Sequence, residues 1–306
     1  MIKTLVGYTG FVGSNLVSST DFGGLYNSKN IEDAFKTKPD LLVYSGVSAE
    51  KFLANKEQEK DYAIIQNAID NIKKIDSKRL VLISTIDVYK NPLDVDEDTV
   101  IDTNELHPYG LHRYYLEKWV EENLDNYLIV RLPGLYGRNI KKNFIYDLIN
   151  LIPSMLNEKK YNELAKHALI ILECYVSQNN GFYKCKELDD IKKAELKAFF
   201  NKIGFSALNF TDSRGIFQFY NLSNLWKHIE IALNSNIKKL NLATEPIVIS
   251  ELYEHIKGQK FVNEVAQISP KYDFKTKYAD IFGGKNGYVF SKEFVMDDIK
   301  RFVNEF

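Results

Sequence analysis

The stretch that decides the fold is Lys3-Thr4-Leu5-Val6-Gly7-Tyr8-Thr9-Gly10-Phe11-Val12-Gly13-Ser14-Asn15-Leu16-Val17. Residues 3–6 form an apolar run of the length of a buried parallel strand, and residues 14–17 are typical of a helix start. A glycine-rich turn between a strand and a helix lets the backbone approach a pyrophosphate, because no Cβ atom intervenes and the helix N-terminus offers unpaired N–H groups. The alternative is a tight turn that binds nothing. The predicted dinucleotide contacts are Gly7, Thr9, Gly10, Phe11, Val12 and Gly13.

The composition is that of an ordinary globular protein. The 306 residues are 45% apolar and 26% charged, which suits one large domain or two interlocked ones. A net charge of −1 gives no reason to expect a nucleic-acid partner. Two cysteines and five scattered histidines argue against a metal site or a disulfide scaffold. Because neither a leader pattern nor a long apolar run is evident, we expect a cytoplasmic protein without a membrane partner.

Strand-like and helix-like segments alternate along the first half of the chain. Helical patterns cover residues 31–36, 49–75 and 109–123, and apolar strand patterns lie between them. This alternation predicts an α/β fold, a doubly wound parallel sheet with helices on both faces. Ligands of such sheets bind at the carboxyl ends of the strands. After the strand ending at residue 45, Gly46 and Val47 are therefore predicted to line the cofactor, and Ser48 to face the substrate.

The end of the second predicted strand bears on the choice between NAD and NADP. An acidic residue there binds the free ribose 2′-hydroxyl of NAD, whereas a basic neighbour accommodates the 2′-phosphate of NADP. The sequence has Asn27, Ser28 and Lys29 at this point, and the acids Glu32 and Asp33 follow only later. The pattern favours NADP over NAD, with a plain polar turn as the alternative.

Four motifs give the chain a family resemblance. They are Gly7–Gly13, Ser84–Tyr89, Pro108–Arg113 and Arg131–Gly137. In this order they resemble successive signatures of the extended short-chain dehydrogenase/reductase family, which includes nucleotide-sugar epimerases, dehydratases and 4-ketoreductases. The resemblance implies a Rossmann-type domain over residues 1–150 with return segments near 216–245. It also implies a smaller, mostly helical substrate-binding lobe from residues 151–215 and 246–306, and a homodimer.

The resemblance also implies roles for individual residues. In the family a tyrosine is the acid/base, a lysine four residues later lowers its pKa and holds the nicotinamide ribose, and a serine or threonine shares the substrate oxygen. By motif these are Tyr109, Arg113 and Thr85, and Pro133 and Leu135 would line the nicotinamide. The arginine departs from the family pattern. It can supply a permanent charge and donors for ribose hydroxyls, but it cannot relay a proton.

A second register offers a literal Y-x-x-x-K. Tyr114 and Lys118 have this spacing, but Tyr114 lies five positions after Tyr109 and therefore faces another side of the helix. The preceding proline, the following glycine and Glu117 match the family only in the first register. We therefore prefer Tyr109 with Arg113, and an exposed tyrosine beside a surface cation remains the plain alternative.

The second half of the chain follows the family pattern only faintly. Residues 156–177 and 188–203 are interpreted as helices of an insertion over the substrate side. Lys141, Lys142 and Asn143 at a helix start make an anion site, with a capped surface helix as the alternative. Arg214 is the second predicted anion ligand. The predicted substrate-binding residues are Ser48, Thr85, Asn143 and Arg214.

These interpretations lead to a hydride-transfer enzyme. The predicted substrate is a nucleotide-linked or phosphorylated sugar, and the cofactor is NADP or NAD. Epimerisation and 4-keto reduction stay open. Dehydration is disfavoured because Ile86 is apolar and Asp87 would point away from the site if the strand pattern continued. The rival hypothesis is an NAD(P)-binding sensor without turnover, and Arg113 is its best support.

Overall fold

The computed structural model describes residues 1–305. Its strands are β1 (Lys3–Val6), β2 (Gly24–Tyr26), β3 (Leu41–Tyr44), β4 (Leu80–Thr85), β5 (Tyr127–Leu132), β6 (Gly134–Tyr136), β7 (Met155–Asn157), β8 (Tyr175–Ser177), β9 (Phe182–Cys185), β10 (Ile216–Phe217), β11 (Phe219–Asn221), β12 (Lys239–Asn241) and β13 (Ile247–Val248). Its α-helices are α1 (Phe11–Ser19), α2 (Lys51–Lys56), α3 (Gln58–Ile75), α4 (Pro108–Asn123), α5 (Phe144–Asn150), α6 (Glu158–Ala165), α7 (Leu169–Cys174), α8 (Asp190–Lys202), α9 (Leu225–Asn234), α10 (Ile249–Lys257) and α11 (Lys292–Asn304). Short 3-10 turns cover Ile31–Ala34, Ile86–Val88, Ala207–Phe210, Leu222–Asn224 and Ala279–Phe282.

The predicted doubly wound sheet is confirmed. Six parallel strands lie in the order β2-β1-β3-β4-β5-β12. The chain passes from β1 to β2 on one side and then returns to β3 on the other. Strand order therefore reverses between β1 and β3, and this is the point at which open parallel sheets bind their ligands.

Alternating side chains of the strands fill two cores. Val43 of β3 packs on the face covered by α1 and α9, whereas Leu42 and Tyr44 pack on the opposite face, against α3 and α4. Helix α3 places Ile65, Ala68, Ile69, Ile72 and Ile75 in the second core at helical spacing. Both faces of the sheet are thus covered, as the near-continuous apolar character of β3 and β4 requires.

Three predicted helices differ from those observed. The helix expected over residues 49–75 is interrupted at Glu57, which separates α2 from α3. The helix expected over residues 31–36 is a 3-10 turn. The helix expected over residues 156–177 is split into β7, α6, α7 and β8.

The reason for the last difference is a β-hairpin. Strands β8 and β9 pair around residues 178–181, where Asn179 and Gly181 adopt positive φ angles of 55° and 84°. An asparagine–glycine turn between β-branched and aromatic residues is a strong hairpin signal. Together with β7 the hairpin forms a three-stranded antiparallel sheet, so this insertion is mixed in structure. The predicted helix over residues 188–203 is present as α8.

Across residues 1–305 we find no helix with the length and apolar character needed to cross a bilayer.

Candidate active site

The glycine turn after β1 combines two glycines that the fold requires with one that it does not. Gly7 has a φ of +91°, and a Cβ atom on it would lie 2.6 Å from the carbonyl carbon of Ser45. A Cβ atom on Gly13 would lie 2.1 Å from the carbonyl oxygen of Gly7. Gly10 is exposed, and its Cβ atom would meet only that same oxygen, at 3.3 Å. The fold therefore needs glycine at positions 7 and 13, whereas position 10 leaves open space beside the helix start.

The start of α1 is suited to an anion. No side chain caps this end of the helix, and its first turn contains no acidic residue. The N-terminal N–H groups and the positive end of the helix dipole therefore face the open space beside Gly10. The predicted contacts Thr9, Phe11 and Val12 belong to the same turn. These features fit the pyrophosphate of a dinucleotide.

The predicted NADP-selecting residues form a polar turn directly beside the glycine turn. The Gly7 N–H donates to the carbonyl oxygen of Tyr26, at 2.7 Å. The side-chain oxygen of Asn27 accepts from the Lys29 N–H at 2.9 Å, so this oxygen is used within the turn. The side chains of Ser28 and Lys29 are exposed. Among the described residues no ion pair involves Lys29, which leaves its ammonium group available to a ligand.

The opposite end of the site is built where α4 packs on the end of β4. His107 caps α4, its Nδ1 accepting from the Gly110 N–H at 3.0 Å. A Cβ atom on Gly110 would lie 2.1 Å from the carbonyl oxygen of Asp87, so only glycine allows this close contact. The contact brings Tyr109 near the Thr85 side chain, which lowers the pKa of the Tyr109 phenol.

Burial controls the charge state of Tyr109. The side chain is 8% exposed, and desolvation is the main cause that raises the pKa of its phenol above 10. Arg113 and Thr85 lower that pKa, whereas Asp87 and Asp61 raise it, and the net direction is upward. The neighbouring cation Arg113 thus lowers the pKa of the phenol, but in the protein by itself desolvation outweighs this effect. A phenol in this state is protonated at neutral pH and suits proton donation.

Arg113 is held by other residues of the chain. Its Nη1 donates to Oδ2 of Asp61 at 2.5 Å and to the carbonyl oxygen of Tyr109 at 3.2 Å. Its Nη2 donates to Oδ1 of Asp61 at 2.9 Å and to the carbonyl oxygen of Ser48 at 2.6 Å. The guanidinium carbon lies 4.0 Å from the centroid of the Tyr109 ring. These bonds occupy the four N–H groups of the two terminal nitrogens, so only the Nε–H group remains for the ribose contact that the resemblance implies.

Tyr114 and Lys118, the residues of the second register, lie away from Thr85. Tyr114 packs against an apolar cluster that includes Ile86 and Phe274, and Lys118 pairs with Glu121 at 3.1 Å. Tyr109, and not Tyr114, is thus the tyrosine beside Thr85. The match at Glu117 has a structural basis, because this fully buried carboxylate binds Ser84 and Arg131.

The expected orientation of Asp87 is wrong. Residues 86–88 form a 3-10 turn, so the alternation of a strand does not continue past Thr85. The Asp87 carboxylate instead acts on the pKa of Tyr109 and accepts from Lys51 at 2.9 Å and from the Tyr272 hydroxyl at 3.2 Å. The strand pattern therefore gives no reason to disfavour dehydration.

The predicted anion ligands of the second half are engaged in the fold. The Asn143 side-chain oxygen caps α5 by accepting from two backbone N–H groups, and its amide nitrogen donates to the Leu135 carbonyl oxygen at 2.7 Å. Arg214 is paired with Asp212 at 2.7 Å and with Glu264 at 2.9 Å. Because two carboxylates neutralise its charge, the structure does not support Arg214 as an anion site. Lys142 donates to the carbonyl oxygen of Ala49 at 2.6 Å.

The remaining predicted contacts follow the strand ends. Gly46 and Ser48 are exposed after β3, and Val47 packs partly on the core. Pro133 and Leu135 are half-buried at the end of β5 and in β6.

Sequence reasoning missed Lys51, Asp61 and Tyr272. Only Asp61 leaves a signal in the sequence, because it is an acid four residues before Ile65 on the apolar face of α3. An acid on a buried helical face needs a partner. Lys51 and Tyr272 carry no such signal, since tertiary contacts alone bring them to Asp87.

Comparison with known proteins identifies the fold and a family. The model of a family described as "RmlD substrate binding domain" matches residues 5–159. The dTDP-4-dehydrorhamnose reductase of Bacillus anthracis, solved in complex with NADP, superposes with a TM-score of 0.64 at 17% identity, over 100% of both chains. UDP-glucose 4-epimerase of Thermotoga maritima, solved with UDP-glucose, has a TM-score of 0.63 at 12% identity, over 99% of this chain and 98% of that one. The Bordetella bronchiseptica enzyme WbmG, solved with NAD and UDP, has a TM-score of 0.60 at 16% identity, over 92% and 88%.

No curated protein sequence matches the chain significantly. The likenesses to solved structures show the fold, and together with the family model they confirm the predicted resemblance to the extended short-chain dehydrogenases/reductases.

Proposed function

The chain belongs to the RmlD substrate binding domain family, and from that premise we propose that it is an NAD(P)-dependent enzyme that reduces a keto group on a nucleotide-linked sugar. The observation that carries the proposal is the buried Tyr109 beside Thr85 at the carboxyl end of β4. Reductases named dTDP-4-dehydrorhamnose reductase recur among the solved structures of this fold. Their sugar class is the natural first substrate to test.

The glycine turn would hold the cofactor. The backbone around Gly10 and the uncapped start of α1 would bind its pyrophosphate, and Lys29 would bind the 2′-phosphate of NADP. The exposure of Lys29 and its lack of an ion pair within residues 1–305 support NADP over NAD. When bound, the nicotinamide supplies a hydride to the carbonyl carbon.

Thr85 and Tyr109 would act on the carbonyl oxygen. The Thr85 side-chain oxygen accepts from the Asp87 N–H at 3.2 Å, which leaves its own O–H group to donate. The Tyr109 phenol is protonated at neutral pH and would give its proton to the alkoxide as it forms. Proton donation of this kind contributes about 10²–10⁴-fold to a rate.

The test is oxidation of NADPH by the wild-type protein in the presence of nucleotide-linked 4-keto sugars, dTDP-4-keto-6-deoxy sugars first. Consumption of NADPH that depends on the sugar is the expected result. A matched incubation of the corresponding 4-hydroxy sugars with NAD⁺ or NADP⁺ and without NADPH detects epimerisation, because the oxidised cofactor accepts the hydride and then returns it.

The second candidate function is a sensor that binds NAD(P) without turnover. The observation that favours it is the engagement of Arg113 by Asp61. Tight NADPH binding with no consumption across the sugar panel would support the sensor and contradict the reductase.

A further inference from the structure

The most unusual contact of the site joins α3 to α4. Asp61 and Arg113 are 4% and 5% exposed, so a full ion pair lies inside the protein beside Tyr109. Both oxygens of Asp61 are used by Arg113, and Oδ2 also contacts Nδ1 of His112 at 2.8 Å. Two-point carboxylate binding fixes the plane of a guanidinium group, which a lysine ammonium group cannot reproduce.

We infer that Asp61 is a positioning residue, which clamps Arg113 over the ring of Tyr109 and thereby directs its two terminal nitrogens to the tyrosine and not to the cofactor ribose. The inference rests on the proposed reductase function for its kinetic consequences. Its structural part concerns only the contacts among the three side chains.

A count of donors leaves only the Nε–H group of Arg113 for the ribose. Each terminal nitrogen of an arginine carries two N–H groups. Nη1 donates to Asp61 and to the Tyr109 carbonyl oxygen, and Nη2 donates to Asp61 and to the Ser48 carbonyl oxygen. Both ends of the guanidinium are therefore saturated within the chain.

The same bonds fix Tyr109 from several sides. Arg113 covers its ring face at 4.0 Å and binds its carbonyl oxygen, and the Tyr109 N–H donates to the Asn55 side-chain oxygen at 3.0 Å. Contacts from both α2 and α3 thus fix the position of the first turn of α4. Without Asp61 the guanidinium loses both carboxylate bonds, and its plane is no longer tied to the ring.

Several charged or titratable groups surround the phenol. On α4 and at its N-cap they are Arg113 and His107, and on α3 there is Asp61, which also binds His112 of α4. On the turn after β4 there is Asp87, which pairs with Lys51 of α2 and binds the hydroxyl of Tyr272. Asp61 and Asp87 raise the pKa of Tyr109, and Arg113 lowers it.

Asp61→Asn tests the clamp, because asparagine keeps the shape and removes the charge. Arg113 then acts on the phenol without a balancing carboxylate, so we expect the pKa of Tyr109 to fall by about one unit or more. Reduction needs the protonated phenol, so the alkaline loss of kcat should move to lower pH by the same amount. The dissociation constant of NADPH should change less than twofold. Glu121→Gln, which removes a half-buried carboxylate elsewhere on α4, is the control and should leave the profile in place.

A second measurement does not need turnover. The absorbance of tyrosinate is followed against pH in wild type and in Tyr109→Phe, and the difference between the two curves isolates Tyr109 among the 19 tyrosines. The same difference between Asp61→Asn and Asp61→Asn/Tyr109→Phe gives the Tyr109 midpoint without the Asp61 carboxylate. A lower midpoint in the Asp61→Asn background supports the clamp even if the reductase proposal fails. An unchanged midpoint overturns it.

Arg113→Lys is a third test of the clamp, and it replaces Asp61→Asn if that variant does not fold. The clamp predicts a kcat at least tenfold lower with NADPH affinity kept within twofold. A tenfold loss of NADPH affinity would show that residue 113 binds the cofactor, and would overturn the inference.

Discussion

The glycine turn and the tyrosine site lie at neighbouring strand ends, but different kinds of contact hold them in place. In the glycine turn the decisive contacts are between backbone atoms, and Gly7 and Gly13 are needed because a Cβ atom would collide with the backbone of Ser45 and of Gly7, respectively. At the tyrosine site the decisive contact is a buried ion pair between Asp61 and Arg113, from two different helices. A backbone contact of the first kind accepts only glycine. A side-chain contact of the second kind lets an arginine occupy the position where the family resemblance expects a lysine.

The largest expected effect tests the tyrosine site. Tyr109→Phe removes the proton donor and should lower kcat by about 10²–10⁴-fold, because general acid catalysis contributes this much. The glycine turn does not depend on that hydroxyl, so the dissociation constant of NADPH should remain within twofold of wild type. The measurement is NADPH consumption with the best sugar of the panel, together with NADPH fluorescence titration.

Tyr114→Phe is the matched control for Tyr109→Phe. Its ring packs in an apolar cluster, so the variant should keep nearly full activity. If the losses were reversed between the two variants, the assignment of the acid/base would have to move to the second register.

The next largest effect is expected on stability, from the buried ion pair between Glu117 and Arg131. Glu117 binds Nη2 of Arg131 at 2.7 Å, and the two side chains are 0% and 2% exposed. Glu117→Gln leaves the arginine charge buried without a counter-charge, which should lower the free energy of unfolding by about 3 kcal/mol. Urea unfolding measures the change.

Ser84→Ala tests the hydrogen bond between Ser84 and Glu117 separately from the ion pair. It removes only the hydroxyl that donates to Glu117 at 2.5 Å and keeps the ion pair, so it should destabilise the protein by about 1 kcal/mol. Equal losses in the two variants would argue that the ion pair adds nothing to the stability of this site.

The difference between local backbone contacts and long-range side-chain contacts explains which parts of the fold could be predicted from the sequence. The alternation of strands and helices, the glycine turn, the start of α4 at Pro108 and the helix through Asn123 are local patterns, and the structure confirms them. The β8–β9 hairpin was missed although its turn carries an asparagine–glycine signal, because the flanking residues also fit a helical period.

The site residues divide in the same way into those that a local motif predicts and those that only tertiary contacts determine. Tyr109 and Thr85 come from motifs within single elements, and the structure brings them together. Arg113 is bound by Asp61, 52 positions away, and Asp87 by Lys51 and Tyr272, 36 and 185 positions away, so no local pattern reports these contacts. Arg214 is bound by Asp212, two positions away, and by Glu264, 50 positions away. The direction of the Tyr109 pKa could not be predicted either, since burial is a property of the packed protein.

The glycine turn offers a test in which folding and binding separate. Gly10→Val places a side chain in the open space beside the start of α1, so NADPH affinity should fall about a hundredfold through lost charge-assisted bonds to the pyrophosphate. The melting temperature should stay close to that of wild type, because the fold does not need glycine there. Differential scanning fluorimetry with and without NADPH measures both quantities.

Gly13→Ala is the comparison for Gly10→Val. Its Cβ atom would lie 2.1 Å from the Gly7 carbonyl oxygen, so this small substitution should lower the melting temperature even without ligand. Unchanged NADPH affinity in Gly10→Val would contradict the proposed cofactor site while leaving the sheet architecture intact.

The smallest expected effect concerns the choice of cofactor. Lys29→Ala removes an exposed ammonium group at the end of β2, and it should weaken NADPH binding about tenfold, the value of one hydrogen bond to a charged group. NADH lacks the 2′-phosphate, so its affinity should not change. Raising the salt concentration should weaken NADPH binding to wild type more than to the variant, because the contact is exposed and screened. Equal losses for NADPH and NADH would mean that Lys29 contacts the part of the cofactor that both share, and the preference for NADP would then have to come from another residue.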